Sequence, residues 1–221
     1  MGQEILDIGY LALPENPNGL GVIVIQEWWG LVPHIKSVTD RFAAAGFVAL
    51  APDLYKGETT TSPDEAGRML MALNIEQAAK DLESAVDCVL KHPNVKQKKL
   101  GVVGFCMGGQ LALLAGTVSD HVGAVVDFYG IHPKVKPDFS KLTAPVLGIF
   151  GEQDQSVPPE AVYQLESDIQ QAGGTIEIRM YGHVGHAFFN DTRPEAYNPE
   201  AAEDAWQRTL AFLQQQLSAQ S

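Results

Sequence analysis

The sequence predicts one α/β domain, 1–221, built on a mostly parallel sheet with helices on both faces. Three observations predict it. Short continuous apolar runs, which suit strands buried on both faces, alternate with helical patterns along the chain. The 221 residues suit one domain or at most two small ones, and no repeat, low-complexity tract or linker divides them. The composition, 45% hydrophobic and 19% charged, is that of a globular chain large enough to bury its own core.

Residues 20–26 (LGVIVIQ) read as a buried strand. Residues 34–45 read as a helix that Gly46 stops, because glycine accepts the left-handed position after a helix. Residues 47–50 form the next strand and 64–73 a short helix. Asn74 opens a longer helix in which Ile75, Ala78, Ala79, Leu82, Ala85, Val86, Val89 and Leu90 recur at spacings of three and four; Pro93 ends it. The strand at 100–103 runs into a helix of small residues at 107–116. Strands follow at 122–129 and 146–150, then a helix at 158–172 closed by Gly173 and Gly174, then a strand at 175–181. Asn198 and Pro199 are the N-cap and first helical residue of the last helix. Its stripe is Ala202, Ala205, Trp206, Leu210, Leu213 and Leu217. The tail from Gln214 is expected to fray at its end.

Fifteen basic against 27 acidic residues leave a net charge of −12, which argues against nucleic-acid or anionic-membrane partners. No apolar run is long enough for a spanning helix. The first residues carry neither the basic region nor the apolar segment of a signal peptide, and Leu6 stands where a myristoylation motif needs Ser or Thr. Two cysteines, Cys88 and Cys106, do not make a disulfide framework. The expectation is a cytoplasmic protein, a monomer or weak homo-oligomer. The glycosylation sequon Asn190-Asp191-Thr192 would stay empty there.

The sharpest signal is Gly104-Phe105-Cys106-Met107-Gly108-Gly109, at the junction of a predicted strand and helix. With serine in place of Cys106 it would be the nucleophile elbow of the α/β-hydrolases. A nucleophile on a tight, strained turn needs neighbours two residues away that lack side chains, so that strand and helix can approach. The turn also lies at a helix N-terminus, where negative charge is favoured, and a thiol gains more from that place than a hydroxyl. Cys88 lies in a regular helix without such surroundings and reads as structural.

A nucleophile needs a base, and the base an orienting acid. The chain order in this fold class is nucleophile, acid, histidine. Asp154 follows the strand at 146–150, and His186 follows the strand at 175–181, so both sit in loops at the sheet edge that carries the elbow. Glu152 is the rival acid and His183 the rival base. His183 and His186 also spell H-x-x-H, but no further His or Cys cluster supports a metal site, and no metal is expected.

At these residues the chain resembles the dienelactone hydrolase family (carboxymethylenebutenolidases) of the α/β-hydrolase fold, over nearly its whole length. The carriers are Gln26-Glu27-Trp28-Trp29-Gly30, Ala51-Pro52-Asp53-Leu54-Tyr55, the elbow, Gly151-Glu152-Gln153-Asp154 and Gly185-His186-Ala187-Phe188. The resemblance implies a Cys106–His186–Asp154 triad and a glutamate, here Glu27, that contacts the thiol. It also implies an oxyanion hole from the backbone N–H groups of Met107 and Trp28. Family members that open dienelactone hold its carboxylate with two arginines. Arg68 matches one. Asn190 stands at the place of the other, with Arg193 three residues further on. Arg68, Trp29, Tyr129, Phe188 and Asn190 are therefore expected around the substrate.

The expected chemistry is acyl transfer from a small ester or enol lactone through a Cys106 thioester, with no organic cofactor. The alternatives are a general carboxylesterase or thioesterase, and a ligand-binding module on the same fold.

Overall fold

Parallel strands expose both faces to whatever packs on them, so each must be apolar on both sides and covered by helices. The computed structural model, which describes residues 2–5 and 7–219, has this arrangement. Met1 and Leu6, which bear on the myristoylation motif, and the last two residues of the tail lie outside the described residues.

The strands are β1 Gln3–Ile5, β2 Gly9–Ala12, β3 Gly21–Ile25, β4 Val48–Pro52, β5 Leu100–Phe105, β6 Val122–Phe128, β7 Val146–Gly151 and β8 Ile176–Tyr181. They form one sheet in the order β1-β2-β4-β3-β5-β6-β7-β8. β3 to β8 are mutually parallel; β1 and β2 add antiparallel at one edge. The helices are α1 Pro33–Ala44, α2 Pro63–Ala72, α3 Ile75–Leu90, α4 Met107–Val118, α5 Pro159–Gln171 and α6 Pro199–Ser218. This is the α/β-hydrolase arrangement that the elbow motif predicts.

Every element expected from the sequence is present, with ends shifted by a few residues. Asn74 and Asn198 each cap their helix as read, accepting from Gln77 N and Ala201 N at 3.0 Å. The β1–β2 pair is the addition. At three and four residues these strands are too short to show a period, and β1 is exposed at the sheet edge. The tail is helical through Ser218, and Leu217 is fully buried; the end expected to fray falls on the last two residues, outside the described ones.

Alternation along the strands divides the core in two. Val22 and Val24 of β3 face the layer of α1 and α6, while Ile23 and Ile25 face the layer of α3 and α4. α6 can lie close to β5, the strand that leads into Cys106, because residue 101 is glycine. A Cβ there would stand 2.5 Å from Cδ2 of Leu213. Leu213 is fully buried at this contact. Its truncation to alanine is expected to cost about 2–5 kcal/mol of unfolding free energy in urea, whereas exposed Gln214→Ala should change it by no more than about 0.5 kcal/mol.

Candidate active site

β5 ends at Phe105 and α4 begins at Met107, so one residue, Cys106, makes the whole turn. It does so at φ 54° and ψ −120°, a conformation that L-residues rarely adopt. Backbone hydrogen bonds hold it there. Cys106 N donates to Phe128 O at 2.9 Å, and Cys106 O accepts from Gly109 N at 2.9 Å and Ile131 N at 3.2 Å. The flanking glycines are required by contact. A Cβ at Gly104 would lie 1.8 Å from Gly108 O, and one at Gly108 would lie 2.5 Å from both Gln26 O and Ile25 O. Three backbone segments therefore meet behind the thiol: the end of β3, the end of β5 and the first turn of α4. The first turn leaves Met107 N–H without an intrahelical partner, next to the sulfur.

The loops after β7 and β8 bring the acid and the histidine to the same edge. Asp154 is buried, and its Oδ1 accepts from Ser156 N at 2.7 Å and Val157 N at 2.9 Å. These two bonds aim its Oδ2 at His186, whose Nδ1 donates to it at 2.7 Å. Cys106 and His186 line the same cavity. Burial disfavours the imidazolium, but the bond to Asp154 and the interactions with Cys106 and with the Asp154 charge outweigh it and push the group up from 6.5 to about 10. The rivals do not enter this chain: Glu152 and His183 are exposed at the surface. Cys88 sits partly buried in α3, against the core.

Glu27 follows β3 and is 1% exposed. Asn190 Nδ2 donates to its Oε2 at 2.7 Å, while its Oε1 is buried with no hydrogen-bond partner among the described residues. Burial raises its pKa, opposed by the charge of His34, the Asn190 hydrogen bond, and the charges of His186 and Arg193. The preceding Gln26 uses its Oε1 to accept from Leu54 N at 3.3 Å, which ties the β3 end to the Pro52-Asp53-Leu54-Tyr55 turn. Tyr55 in turn donates from its hydroxyl to Met107 Sδ at 3.1 Å, beneath the elbow.

A cavity of about 230 Å³ opens over these groups. Its floor is Cys106, His186 and Glu27; Trp28 and Trp29 form one wall and Leu70, Ile131 and Pro133 another. Arg193 stands at its margin with the guanidinium 5.4 Å from the Trp29 ring centroid, while also paired with Glu195 at 2.7 Å. Among the described residues no group of three or more His, Cys, Asp or Glu could hold a metal ion.

Of the residues expected around the substrate, Trp29 lines the cavity and four do not. Arg68 lines a separate surface hollow with Tyr55, Glu65 and Met69. It lies on α2, whose Leu70 is the residue that turns toward the thiol. Tyr129 is fully buried behind the histidine, with ring centroids 5.0 Å apart. Phe188 is fully buried against Tyr129 and Tyr181. Asn190 is 1% exposed, and its side chain holds Glu27 through Nδ2 and Thr192 through Oδ1. The same burial withdraws the amide of the Asn190-Asp191-Thr192 sequon from solvent in the folded chain. Sequence reading did not name Leu70, Ile131, Pro133 or Ser156. They are isolated residues from α2, the β6–β7 connection and the β7–α5 connection, which only the fold brings together. Arg193 was readable as the nearest cation after His186.

The dienelactone hydrolase family model matches residues 8–217. The chain belongs to the dienelactone hydrolase family. "Protein usf" of Aquifex pyrophilus is 37% identical over 217 residues, covering 95% of this chain and 94% of that protein. A protein of Aquifex aeolicus named "Putative carboxymethylenebutenolidase" is 32% identical over 212 residues, covering 93% and 91%. The crystal structure described as "Putative Dienelactone Hydrolase" from Klebsiella pneumoniae superposes with a TM-score of 0.83 at 32% identity, covering 93% of this chain and 92% of that one. At the level of this family the chain is an ester or lactone hydrolase. A dienelactone hydrolase elbow so tightly packed leaves no room at Gly104. Gly104→Ala is expected to lower stability by at least about 3 kcal/mol, or to prevent folding. Gly57→Ala, where a Cβ meets nothing within 4 Å and only φ 96° is unfavourable, should cost about 1–2 kcal/mol in the same melts.

Proposed function

We propose that the protein hydrolyses a small ester or enol lactone through a Cys106 thioester. The observation that carries this reading is the alignment of Asp154, His186 and Cys106, with the 2.7 Å carboxylate–imidazole bond at one end and the thiol on the strained elbow at the other. Cys106 Sγ, as thiolate, attacks the acyl carbonyl carbon. A C–S bond forms and the carbonyl oxygen becomes an oxyanion, which the N–H groups of Met107 and Trp28 stabilise; one such donor is typically worth ~2.7–4 kcal/mol. The tetrahedral species collapses, the acyl C–O bond breaks, and the alkoxide or enolate takes a proton from His186. His186, now neutral, takes a proton from water. The resulting hydroxide attacks the thioester and releases the acid and the thiolate. Asp154 keeps the imidazole in the tautomer with its proton on Nδ1. An enolate leaves with little assistance, which suits a thiol nucleophile better than an amide would.

The cavity of about 230 Å³ lies below the usual range for drug-sized ligands, which supports a small acyl substrate. Arg193 is the cation at its margin, and a carboxylate-bearing lactone would find it there. The charge balance and the reducing surroundings expected of the chain fit a cytoplasmic enzyme.

Glu27 has a distinct part in this reading. A carboxylate beside a thiolate disfavours it by like-charge repulsion, so Glu27 holds the resting thiol neutral until substrate binds; the thiol S–H proton then passes to Glu27, which leaves the thiolate free to attack.

Incubation with an aryl ester, an enol lactone and an acyl thioester, followed by intact-protein mass spectrometry, tests the thioester directly. The expected result is an acyl adduct on wild type that Cys106→Ala lacks, with hydrolysis abolished in Cys106→Ala and near normal in Cys88→Ala. Asp154→Asn should lower kcat by about 10³–10⁴-fold, and His186→Ala far more than His183→Ala. Binding without an adduct would turn the reading to a ligand-binding module. For Glu27→Gln, the midpoint of iodoacetamide alkylation at Cys106 should move to lower pH, because the repelling charge is gone. An unmoved midpoint would leave Glu27 without the proposed part.

A further inference from the structure

The triplet Asn190-Asp191-Thr192, which spells a glycosylation sequon, has another part in the fold. It is a turn closed on its first side chain. Thr192 donates to Asn190 Oδ1 from its backbone N–H at 3.1 Å and from its hydroxyl at 2.7 Å. The main chain is held as well: Asn190 N donates to Ala187 O at 3.0 Å, and Asn190 O accepts from Arg193 N at 3.1 Å. Asn190 is 1% exposed, whereas Thr192 lies at the surface.

These bonds decide which way the amide faces. A backbone N–H can only donate, so the atom that meets Thr192 N is the carbonyl oxygen, and the NH2 group is left to face Glu27. Nδ2 reaches Glu27 Oε2 at 2.7 Å. Oε2 therefore accepts a hydrogen bond in both charge states of Glu27. A proton on the carboxyl belongs on Oε1, which is buried and has no hydrogen-bond partner among the described residues. The amide is also uncharged. A lysine or arginine at residue 190 would pin Glu27 as the anion, whereas an amide N–H bonds the carboxylate and the acid alike.

We propose that Asn190, oriented by Thr192, divides the work of the two Glu27 oxygens: Oε2 is a fixed anchor, and Oε1 is the oxygen on which Glu27 gains and loses its proton. When the thiol is activated, the Cys106 S–H bond breaks and an O–H bond forms at Glu27 Oε1. A thiol and a carboxylate become a thiolate and an acid, and the proton count does not change. The anchor at Oε2 stays in place throughout, so the carboxyl group need not turn to change its charge. Asn190 and Thr192 are positioning residues, since they act through Glu27. The charges that bear on Glu27 are those of His34 from α1 and of His186 and Arg193 from the β8–α6 connection. Cys106 lines the same cavity, and Tyr129, after β6, feels the Glu27 charge.

The inference rests on the reading of Glu27 as the residue that governs the thiol, and its test separates the two. Two NMR signals are followed against pH in the intact protein: the Glu27 carboxyl ¹³C, assigned with Glu27→Gln, and the Asn190 side-chain ¹⁵NH2, assigned with Asn190→Ala. The Asn190 signal is expected to titrate with the Glu27 midpoint and to be flat in Glu27→Gln. In Asn190→Ala the carboxylate loses its donor, and the Glu27 midpoint should rise by about one pH unit. Thr192→Val removes one of the two bonds that orient the amide and should raise the midpoint by a smaller amount. Thr192→Ser keeps the hydroxyl and should restore the wild-type value. With less charge beside Cys106 at a given pH, the midpoint of iodoacetamide alkylation should move to lower pH in Asn190→Ala and Thr192→Val, and neither should move it further in a Glu27→Gln background. An Asn190 signal that ignores the Glu27 titration overturns the inference, and so does a Glu27 midpoint that Thr192→Val leaves unmoved or that Thr192→Ser fails to restore. A moved midpoint with an unchanged alkylation profile upholds the anchor and overturns instead the link between Glu27 and the thiol.

Discussion

The site depends on one unfavourable conformation. Cys106 at φ 54° costs about 1–3 kcal/mol relative to an ordinary turn residue, and the protein holds it there through contacts on every side. The sulfur points out of the sheet edge only because the chain turns from β5 to α4 in a single residue. That turn is possible only because Gly104 and Gly108 let three backbones touch. The N–H of Met107, the reach of His186 and the position of Glu27 at the end of β3 are all measured from this point. A relaxed elbow would move each of them, and groups on rigid elements catalyse only when their geometry is held to a fraction of an ångström.

Among the carboxylates buried around that turn, Asp154 and Glu27 stand in opposite circumstances. Asp154 accepts three hydrogen bonds, two from backbone N–H groups and one from His186, so its charge is stabilised where it stands. Glu27 accepts one, from Asn190, and is otherwise buried among aromatic walls. The first is an orienting anion. The second is a carboxyl group whose pKa burial raises, and such paired but unequal environments are how one fold runs acid and base steps together. The Asn190–Asp191 turn is the mechanical link, since it fastens the loop that carries His186 to the loop that carries Glu27 and Trp28.

Much of this was legible in the chain. The alternation of apolar runs with helical periods, the capping residues Asn74 and Asn198, and the elbow glycines state local requirements that hold whatever surrounds them. The order Cys106, Asp154, His186 follows strand ends that the same pattern locates. Covered on both faces, β3 to β7 could be read because burial on both faces leaves continuous apolar runs, and β8, at the other edge, because its residues from Ile176 to Met180 alternate apolar and charged. β1 and β2 could not, because three or four residues at an antiparallel edge carry no period.

The direction of each side chain was decided by the tertiary structure. Arg68, Tyr129, Phe188 and Asn190 lie on segments that border the site, so their positions suggested substrate contact. Packing turned Tyr129 and Phe188 into the wall behind His186, Asn190 inward to Glu27, and Arg68 to another hollow, while it brought Leu70, Ile131 and Pro133 to the cavity. The sequence by itself determined the sheet, the strained turn and the order Cys106, Asp154, His186 along the strand ends, because these arise from local backbone demands and from periodicities of two and 3.6 residues. The cavity wall and the burial of Glu27 against Asn190 were left to the fold, because they depend on contacts between residues far apart in the chain, which no local pattern encodes.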